Sequence, residues 1–199
     1  MHRRHFLLTT LPAAALASHT DMHAAPATIT TRVDTPLGGF EITVDPTVAP
    51  RTAANYLAYV DGRFLDASSV YRIVTFANQG PDTRHKIEVV QWGMNLPDGK
   101  APPFAPILHE STRETGLRHL DGTVSMARST PGSAASEFFI CIGDQPELDF
   151  GGRRNPDGHG FAAFGRVTRG REVVQALHAR GGARQALEEP IPIREVRRV

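Results

Sequence analysis

Short runs in which apolar and polar residues alternate follow one another after residue 28, and they predict β-strands. In residues 39–44, Phe40, Ile42 and Val44 alternate with polar residues, so one face of this strand is expected to be buried. We expect it to pair with residues 28–34 across the intervening turn. Similar runs predict further strands at residues 69–74, 87–92, 122–127, 137–142, 162–167 and 191–196.

In two stretches, the apolar residues recur with the period of an α-helix. In residues 50–60, Ala53, Leu57 and Val60 fall on one face, and a proline stands near the start, where helices tolerate it. Residues 170–179 show a similar pattern. Seven or eight short strands with two separated helices do not form β-α-β units. The sequence therefore predicts a mainly β fold, a closed or nearly closed antiparallel barrel whose open ends the helices plug.

Composition narrows the choice of partners. The chain has 199 residues, of which 40% are hydrophobic and 22% charged, enough for one folded domain with a core. Basic and acidic residues balance after residue 26, which argues against nucleic acid or an anionic membrane surface as the main partner. The single cysteine, Cys141, excludes an internal disulfide and a zinc site built from several cysteines.

Residues 1–25 have the pattern of a targeting segment. Arg3 and Arg4 precede an apolar run at residues 6–17, which is shorter than the about 20 residues that a membrane span needs. The paired arginines are typical of a twin-arginine export signal, and a general secretory signal is the alternative. We expect cleavage of this segment, a periplasmic or secreted product, and no stable membrane association afterwards.

Histidines beside acidic residues raise the question of a metal site. His109 precedes Glu110, and His119 lies two residues before Asp121. Neither spacing places two ligands one helical turn apart, so we interpret both as solvated loop histidines and predict no metal. The long, proline-containing connection at residues 95–116 is expected to have a function of its own.

The residues that point to chemistry lie in three of the predicted strands. Arg72 stands in one otherwise apolar strand and Gln91 in another. A buried arginine is costly unless it is paired or its head reaches a groove. Phe138 and Phe139 are adjacent in a third strand and must face opposite sides. One ring is therefore predicted to fill the barrel while the other faces a cleft.

These residues together resemble the cyclophilin family of peptidyl-prolyl cis–trans isomerases over residues 30–196. The motifs that carry the resemblance are Tyr71-Arg72-Ile73, Gln91, Ser125-Met126-Ala127, Ser136 to Ile140, Leu148-Asp149 and Phe164-Gly165. The resemblance implies an eight-stranded closed antiparallel β-barrel capped by two α-helices, with an isomerase domain at residues 28–199. It also implies rotation of Xaa-Pro bonds as the activity, in support of protein folding.

The resemblance assigns the two polar residues to catalysis. Arg72 matches the family's catalytic arginine, and Gln91 matches the glutamine that orients it and contacts the substrate backbone. The alternatives are an arginine in a buried ion pair and a glutamine that merely satisfies a strand end. Rotation about an amide neither makes nor breaks a σ-bond, so the reaction requires no cofactor.

The resemblance also implies the residues that bind substrate. Phe139, Leu148 and Phe161 match the apolar seat for the proline ring, with Val89 where the family commonly has methionine. Ala127 and the backbone of Arg128 match the strip that hydrogen-bonds an extended peptide. Each apolar residue alone would more often be plain core. The implied partners are proline-containing peptides and unfolded or folding proteins, and we expect a monomer.

Some positions depart from the family pattern. Glu88 stands where an aromatic residue is usual, and Phe76 is a candidate to supply the missing ring. Glu147 stands where many members carry the tryptophan whose indole N–H binds cyclosporin. Because a carboxylate cannot donate that hydrogen bond, we expect poor sensitivity to cyclosporin.

Two other functions remain open from the sequence. A module of the same fold could bind proline peptides or act as a chaperone with weak turnover. A barrel that carries a small apolar ligand is the other alternative, and a barrel interior filled with side chains would argue against it.

Overall fold

A computed structural model describes residues 28–66, 68–97 and 99–199. The targeting segment expected at residues 1–25 lies outside the described residues, so export stays a prediction. Within the described ranges, no helix is long and apolar enough to cross a membrane.

Nine strands, three helices and one 3-10 turn make up the described part of the chain. The strands are β1 (Ile29–Thr35), β2 (Gly38–Val44), β3 (Ser69–Val74), β4 (Val89–Gly93), β5 (Thr123–Met126), β6 (Glu137–Cys141), β7 (Ala162–Arg169), β8 (Ala186–Pro192) and β9 (Glu195–Arg198). The helices are α1 (Pro50–Asp61), α2 (Thr112–Thr115) and α3 (Arg171–His178), and the 3-10 turn spans Pro146–Leu148. The mainly β prediction, the β1–β2 hairpin and the two longer helices are therefore confirmed.

The strands form one strongly curled antiparallel sheet in the order β8-β3-β4-β6-β5-β7-β2-β1-β9. The prediction of a closed eight-stranded barrel is wrong: the sheet has nine strands and is open, and the run predicted as one strand at residues 191–196 belongs to two of them. β8 pairs with β3 and β9 pairs with β1. Between them, Ile193 N–H donates to the Ser68 carbonyl oxygen and Arg194 N–H to that of Asp34. β8 and β9 are successive pieces of one extended segment and stand at opposite ends of the sheet. They do not pair with each other, so the sheet is a half-barrel.

Large side chains fill the inside of the curled sheet. Tyr56 of α1 packs against Phe138 and Phe164, with ring centroids 5.3 Å away in both cases, and against Trp92 at 6.5 Å. All four residues are almost completely buried. A core packed with side chains is incompatible with the small-ligand carrier, which needs an internal cavity.

The long connection at residues 95–116 supports α1. The residue before this helix, Ala49, has no side-chain acceptor for the first backbone N–H groups. Glu110 supplies this acceptor instead. Its Oε2 accepts from Thr52 N–H at 2.9 Å and from Thr52 Oγ1 at 2.8 Å. Phe104, from the same connection, packs edge-on against Tyr59. Glu110 is thus a helix cap supplied from a distant part of the chain.

Candidate active site

An irregularity in β3 sets the geometry of the site. The pairing of β3 with β4 shifts register between Val70 and Arg72, so Tyr71 is the extra residue of a β-bulge. Val70 and Ile73 point into the core, whereas Arg72 lies opposite Gln91. The bulge therefore brings Tyr71 and Arg72 to the same outer face of the sheet.

Arg72 is held by two glutamines. Its Nη1 donates to Oε1 of Gln91 at 2.7 Å, and its Nε and Nη2 donate to Oε1 of Gln185 at 3.2 and 2.6 Å. Burial lowers the pKa of Arg72, although a guanidinium stays charged at any physiological pH. No carboxylate among the described residues pairs with it, so the alternative of a buried ion pair is not supported. The guanidinium is fixed in place while its charge stays unneutralised.

Gln91 is fixed at both ends of its amide. Its oxygen accepts from Arg72, and its Nε2 donates to the hydroxyl oxygen of Tyr71. These two bonds define which end of the amide faces the arginine, because only the oxygen can accept from a guanidinium. Gln91 thus orients Arg72 across the two neighbouring strands.

Gln185 was missed by the sequence analysis. It lies between α3 and β8, in a stretch with no periodic pattern. Its backbone carbonyl accepts from Ile73 N–H at 2.8 Å, and its Nε2 donates to the Asn78 carbonyl oxygen at 3.3 Å. A long-range contact of this kind leaves no local signal, so the sequence alone could not have identified it.

The two adjacent phenylalanines separate into different apolar clusters, as their alternation predicts. Phe138 belongs to the main core inside the curled sheet. Phe139 belongs to a smaller cluster on the outer face, which we call the outer cluster. It consists of Val74, Ile87, Val89, Phe139, Cys141 and Leu148, with Ala127 and Phe161 packed against it.

The outer cluster brings together every apolar residue predicted to bind substrate: Val89, Ala127, Phe139, Leu148 and Phe161. Leu148 and Val89 are fully buried or nearly so and form the floor. Phe139 is 4% exposed and meets Phe161 edge to face at 5.3 Å. Ala127 and Phe161 are partly exposed at the rim. The arrangement is a firm apolar seat beside Arg72.

The wall of this seat is aliphatic. Ile87 and Val74 supply it, whereas Glu88, adjacent to Ile87, faces the other way and lies 3.9 Å from Nε2 of His178. Phe76 is 52% exposed and does not belong to the outer cluster. That Phe76 supplies the missing aromatic ring stays a prediction.

His119 is buried, which corrects its interpretation as a solvated loop histidine. Its Nδ1 lies 2.8 Å from Oδ1 of Asp149 and its Nε2 lies 2.9 Å from Oγ of Ser125. Burial lowers the pKa of His119, so the ring is neutral, donating to Asp149 and accepting from Ser125. Its ring stacks on Phe139 with an interplanar angle of 16°. Because Ser125 is completely buried, this Ser–His–Asp line supports the seat and offers no accessible nucleophile.

Arg128 has a side chain committed to the protein itself. Its Nη1 and Nη2 form a two-pronged pair with Asp157 at 2.8 and 2.9 Å, and its Nε donates to the Gly160 carbonyl oxygen at 2.8 Å. The guanidinium also lies over the Phe161 ring, 5.1 Å from its centroid. The side chain therefore anchors the loop that carries Phe161, and only the backbone of Arg128 is available to a peptide. No group of three or more possible metal ligands occurs in the described ranges.

Comparison with known proteins decides the family. The family described as "Cyclophilin type peptidyl-prolyl cis-trans isomerase/CLD" matches residues 28–198. The chain belongs to the cyclophilin family. The members of this family that it matches are named peptidyl-prolyl cis–trans isomerases, and this cyclophilin is an enzyme of that class.

Relatives of this cyclophilin come from several organisms. It is 31% identical over 173 residues to a peptidyl-prolyl cis-trans isomerase of Streptomyces antibioticus, covering 84% of this chain and 93% of the relative. It is 29% identical to peptidyl-prolyl cis-trans isomerase A of Dickeya dadantii, covering 87% and 84%.

Solved structures share the fold. A crystal structure of a cyclophilin type peptidyl-prolyl cis-trans isomerase from Cryptosporidium parvum matches with a TM-score of 0.68 at 17% identity, covering 86% of this chain and 98% of that one. A second structure of the same protein, determined in the presence of the dipeptide Ala-Pro, matches with a TM-score of 0.65 at 17% identity, covering 84% and 96%.

Proposed function

We propose that this cyclophilin rotates Xaa-Pro bonds in the cleft formed by Arg72, Gln91 and the outer cluster. The observation that carries the proposal is the placement of a fixed, unneutralised guanidinium beside an apolar seat. An ion-paired arginine would be satisfied already, whereas this one keeps the capacity to stabilise electron density in a bound substrate.

Arg72 acts on the twisted amide. Amide resonance sets a rotation barrier of about 18–20 kcal/mol, because it delocalises the nitrogen lone pair. In the twisted state the prolyl nitrogen recovers that lone pair and accepts a hydrogen bond. A guanidinium N–H aimed at this nitrogen therefore binds the transition state better than either planar isomer. Lowering the barrier by about 5 kcal/mol gives a rate gain of roughly 10³–10⁴.

The outer cluster holds the proline ring while the acyl side turns. Phe139 and Phe161 present aromatic surface to the ring, and the buried Leu148 supports them from beneath. Ala127 and the backbone of Arg128 hydrogen-bond the flanking peptide in an extended form. Catalysis needs one side of the bond to be held still. If the proline ring and the acyl side turned together, the amide would stay planar.

We further propose that the substrates are proline-containing proteins outside the cytoplasm and that the enzyme works as an exported monomer. The support is the sequence of residues 1–25, with Arg3 and Arg4 ahead of a short apolar run. Fractionation of bacteria that express the full chain tests the route. We expect the wild type in the periplasm and Arg3→Lys/Arg4→Lys in the cytoplasm. Unchanged export of the double variant would instead indicate the general secretory route.

Turnover of a short Xaa-Pro peptide tests the function itself. Magnetisation exchange between cis and trans proline signals measures rotation without a coupling protease. We expect the purified protein to accelerate exchange at catalytic concentration. Peptide binding without faster exchange would contradict the proposal and favour a binding or chaperone module on the same fold.

A further inference from the structure

Arg154 is a second arginine at the cleft. Its Nη1 donates to Oε1 of Gln79 and to the carbonyl oxygen of His85, both at 3.0 Å. The same oxygen of Gln79 accepts from the backbone N–H of Ile87 at 3.2 Å. Ile87 belongs to the outer cluster and forms part of the aliphatic wall of the seat. This contact places Arg154 beside the seat proposed for proline.

The backbone of Arg154 joins it to a second part of the seat. Its N–H donates to the carbonyl oxygen of Glu147 at 3.1 Å, and the next residue, Leu148, is the floor of the outer cluster. Arg154 is thus anchored where the Ile87 side and the Leu148 side of the seat meet.

Arg154 and Arg72 are supported by neighbouring residues of one loop. Arg72 donates to Gln185, and Gln185 donates to the Asn78 carbonyl oxygen. The next residue along the chain, Gln79, accepts from Arg154. Residues 78–79 therefore support both guanidiniums, Arg154 directly through Gln79 and Arg72 indirectly through Gln185.

Neither guanidinium has a carboxylate partner among the residues that the structure describes. The acceptors of both are amide or carbonyl oxygens. Burial lowers the pKa of Arg154, and the positive charge of Arg72 lowers it further. The charge of Arg72 therefore disfavours that of Arg154, and no ion pair among the described residues offsets this effect.

The acidic groups near Arg154 in sequence are paired elsewhere. Asp149 accepts from Nε of Arg118 and from the backbone N–H of His119. Glu147 accepts from Arg153 through the side-chain Nη2 at 3.0 Å and the backbone N–H at 2.8 Å, and it also lies 3.3 Å from Nδ1 of His85. Asp157 is paired with Arg128. The positive charge at this end of the cleft is therefore available to a ligand.

We propose that Arg154, together with Arg72, makes the enzyme prefer substrates that carry a carboxylate on a residue flanking the proline. The inference rests on the proposed function, because it needs an Xaa-Pro substrate in the cleft. Two partly desolvated cations attract an anionic side chain and repel a cationic one. Arg72 still serves the prolyl nitrogen, while Arg154 determines which flanking residue is favoured.

Peptides that differ in one residue test the preference. One set places alanine, glutamate or lysine directly before the proline, and a second set places the same residues directly after it. We expect the wild type to show a glutamate-to-lysine ratio of kcat/KM of at least about fivefold in one set, falling as salt screens the charges. Arg154→Gln should lose this ratio. Arg194→Gln, the matched control, removes one exposed positive charge outside the cleft, and it should keep the ratio.

A second substitution separates charge from structure. Arg154→Lys keeps the positive charge and should retain more of the ratio than Arg154→Gln. If both variants lose it equally, or if Arg194→Gln lowers it as much as Arg154→Gln, the inference fails. Equal kcat/KM for glutamate and lysine peptides in both sets also overturns it, and normal turnover of the alanine peptide then leaves the proposed function intact. Absent turnover of every peptide contradicts the proposed function and the inference together.

Discussion

Arg72 and Gln185 are joined by two hydrogen bonds to a single amide oxygen, from Nε at 3.2 Å and from Nη2 at 2.6 Å. Gln91 holds the remaining nitrogen, Nη1. Two neutral acceptors on opposite sides fix the plane of the guanidinium without removing its charge. Such a donor is already oriented before the substrate twists, which reduces the reorganisation that the transition state requires.

Removing this support should lower turnover more than binding. For Gln185→Ala we expect kcat to fall by about three- to tenfold with little change in KM, since an oriented charge-assisted hydrogen bond contributes about 1 kcal/mol or more. Gln175→Ala, which replaces an exposed glutamine on α3, is the matched control and should leave both constants unchanged. Steady-state kinetics of both variants decide the matter. A change confined to KM would place Gln185 in substrate binding.

The two phenylalanines should respond differently to substitution. Phe139→Ala is expected to raise KM strongly and to cost some stability, because the ring lines the seat and also packs in the outer cluster. Phe138→Leu should cost about 1–3 kcal/mol of unfolding free energy while KM stays near that of the wild type, since Phe138 lies inside the curled sheet. Urea titrations and peptide kinetics on both variants test this. A normal KM in a folded Phe139→Ala protein would remove that ring from the site.

Features with a local cause could be predicted from the sequence. The opposite orientation of Phe138 and Phe139 follows from the two-residue period of a strand, and α1 and α3 follow from helical periodicity. The resemblance predicts five residues of the outer cluster, Val89, Ala127, Phe139, Leu148 and Phe161, but not Val74, Ile87 or Cys141. The alternation of side chains along a strand is enough to predict that Phe138 and Phe139 lie in different apolar clusters.

Features that depend on distant contacts could not be predicted from the sequence. Gln185 reaches Arg72 across 113 residues of sequence, and Asp149 bonds to His119 across 30. The division of the last strand into β8 and β9 depends on pairing with β3 and β1 at once. A pattern in a single segment contains no information about such partners.

The buried His119 should make stability depend on pH. Its pKa is lowered in the folded state, so the unfolded chain binds a proton that the folded chain does not, and stability falls as pH drops below about 6.5. The lowered pKa of Asp149 acts only in more acidic solution. We expect His119→Asn to lose less unfolding free energy than the wild type between pH 7.5 and 5. The slopes of the two proteins should differ by at most about 1.4 kcal/mol per pH unit.

Urea unfolding of both proteins across this pH range measures the difference. His159→Asn, which replaces an exposed histidine, should keep the wild-type slope. Identical slopes for the wild type and His119→Asn would show that His119 titrates normally in the folded protein.

Cyclosporin sensitivity should be poor. The pairing of Glu147 with Arg153 holds the pKa of its carboxyl to about 2, so at neutral pH this side chain is an acceptor only. It cannot replace the indole donor that many family members use. We expect weak inhibition of the wild type and stronger inhibition of Glu147→Trp, measured with one peptide substrate. Strong inhibition of the wild type would contradict the match between Glu147 and that tryptophan.

The catalytic role of Arg72 is the central claim, and kcat/KM of Arg72→Ala tests it most directly. We expect a fall of at least about tenfold, or about 1.4 kcal/mol of transition-state stabilisation, with the far-ultraviolet circular dichroism of the folded sheet preserved. Arg72→Lys should recover only part of the loss, since a lysine cannot reproduce the planar donor. Wild-type turnover by a folded Arg72→Ala protein would contradict the account.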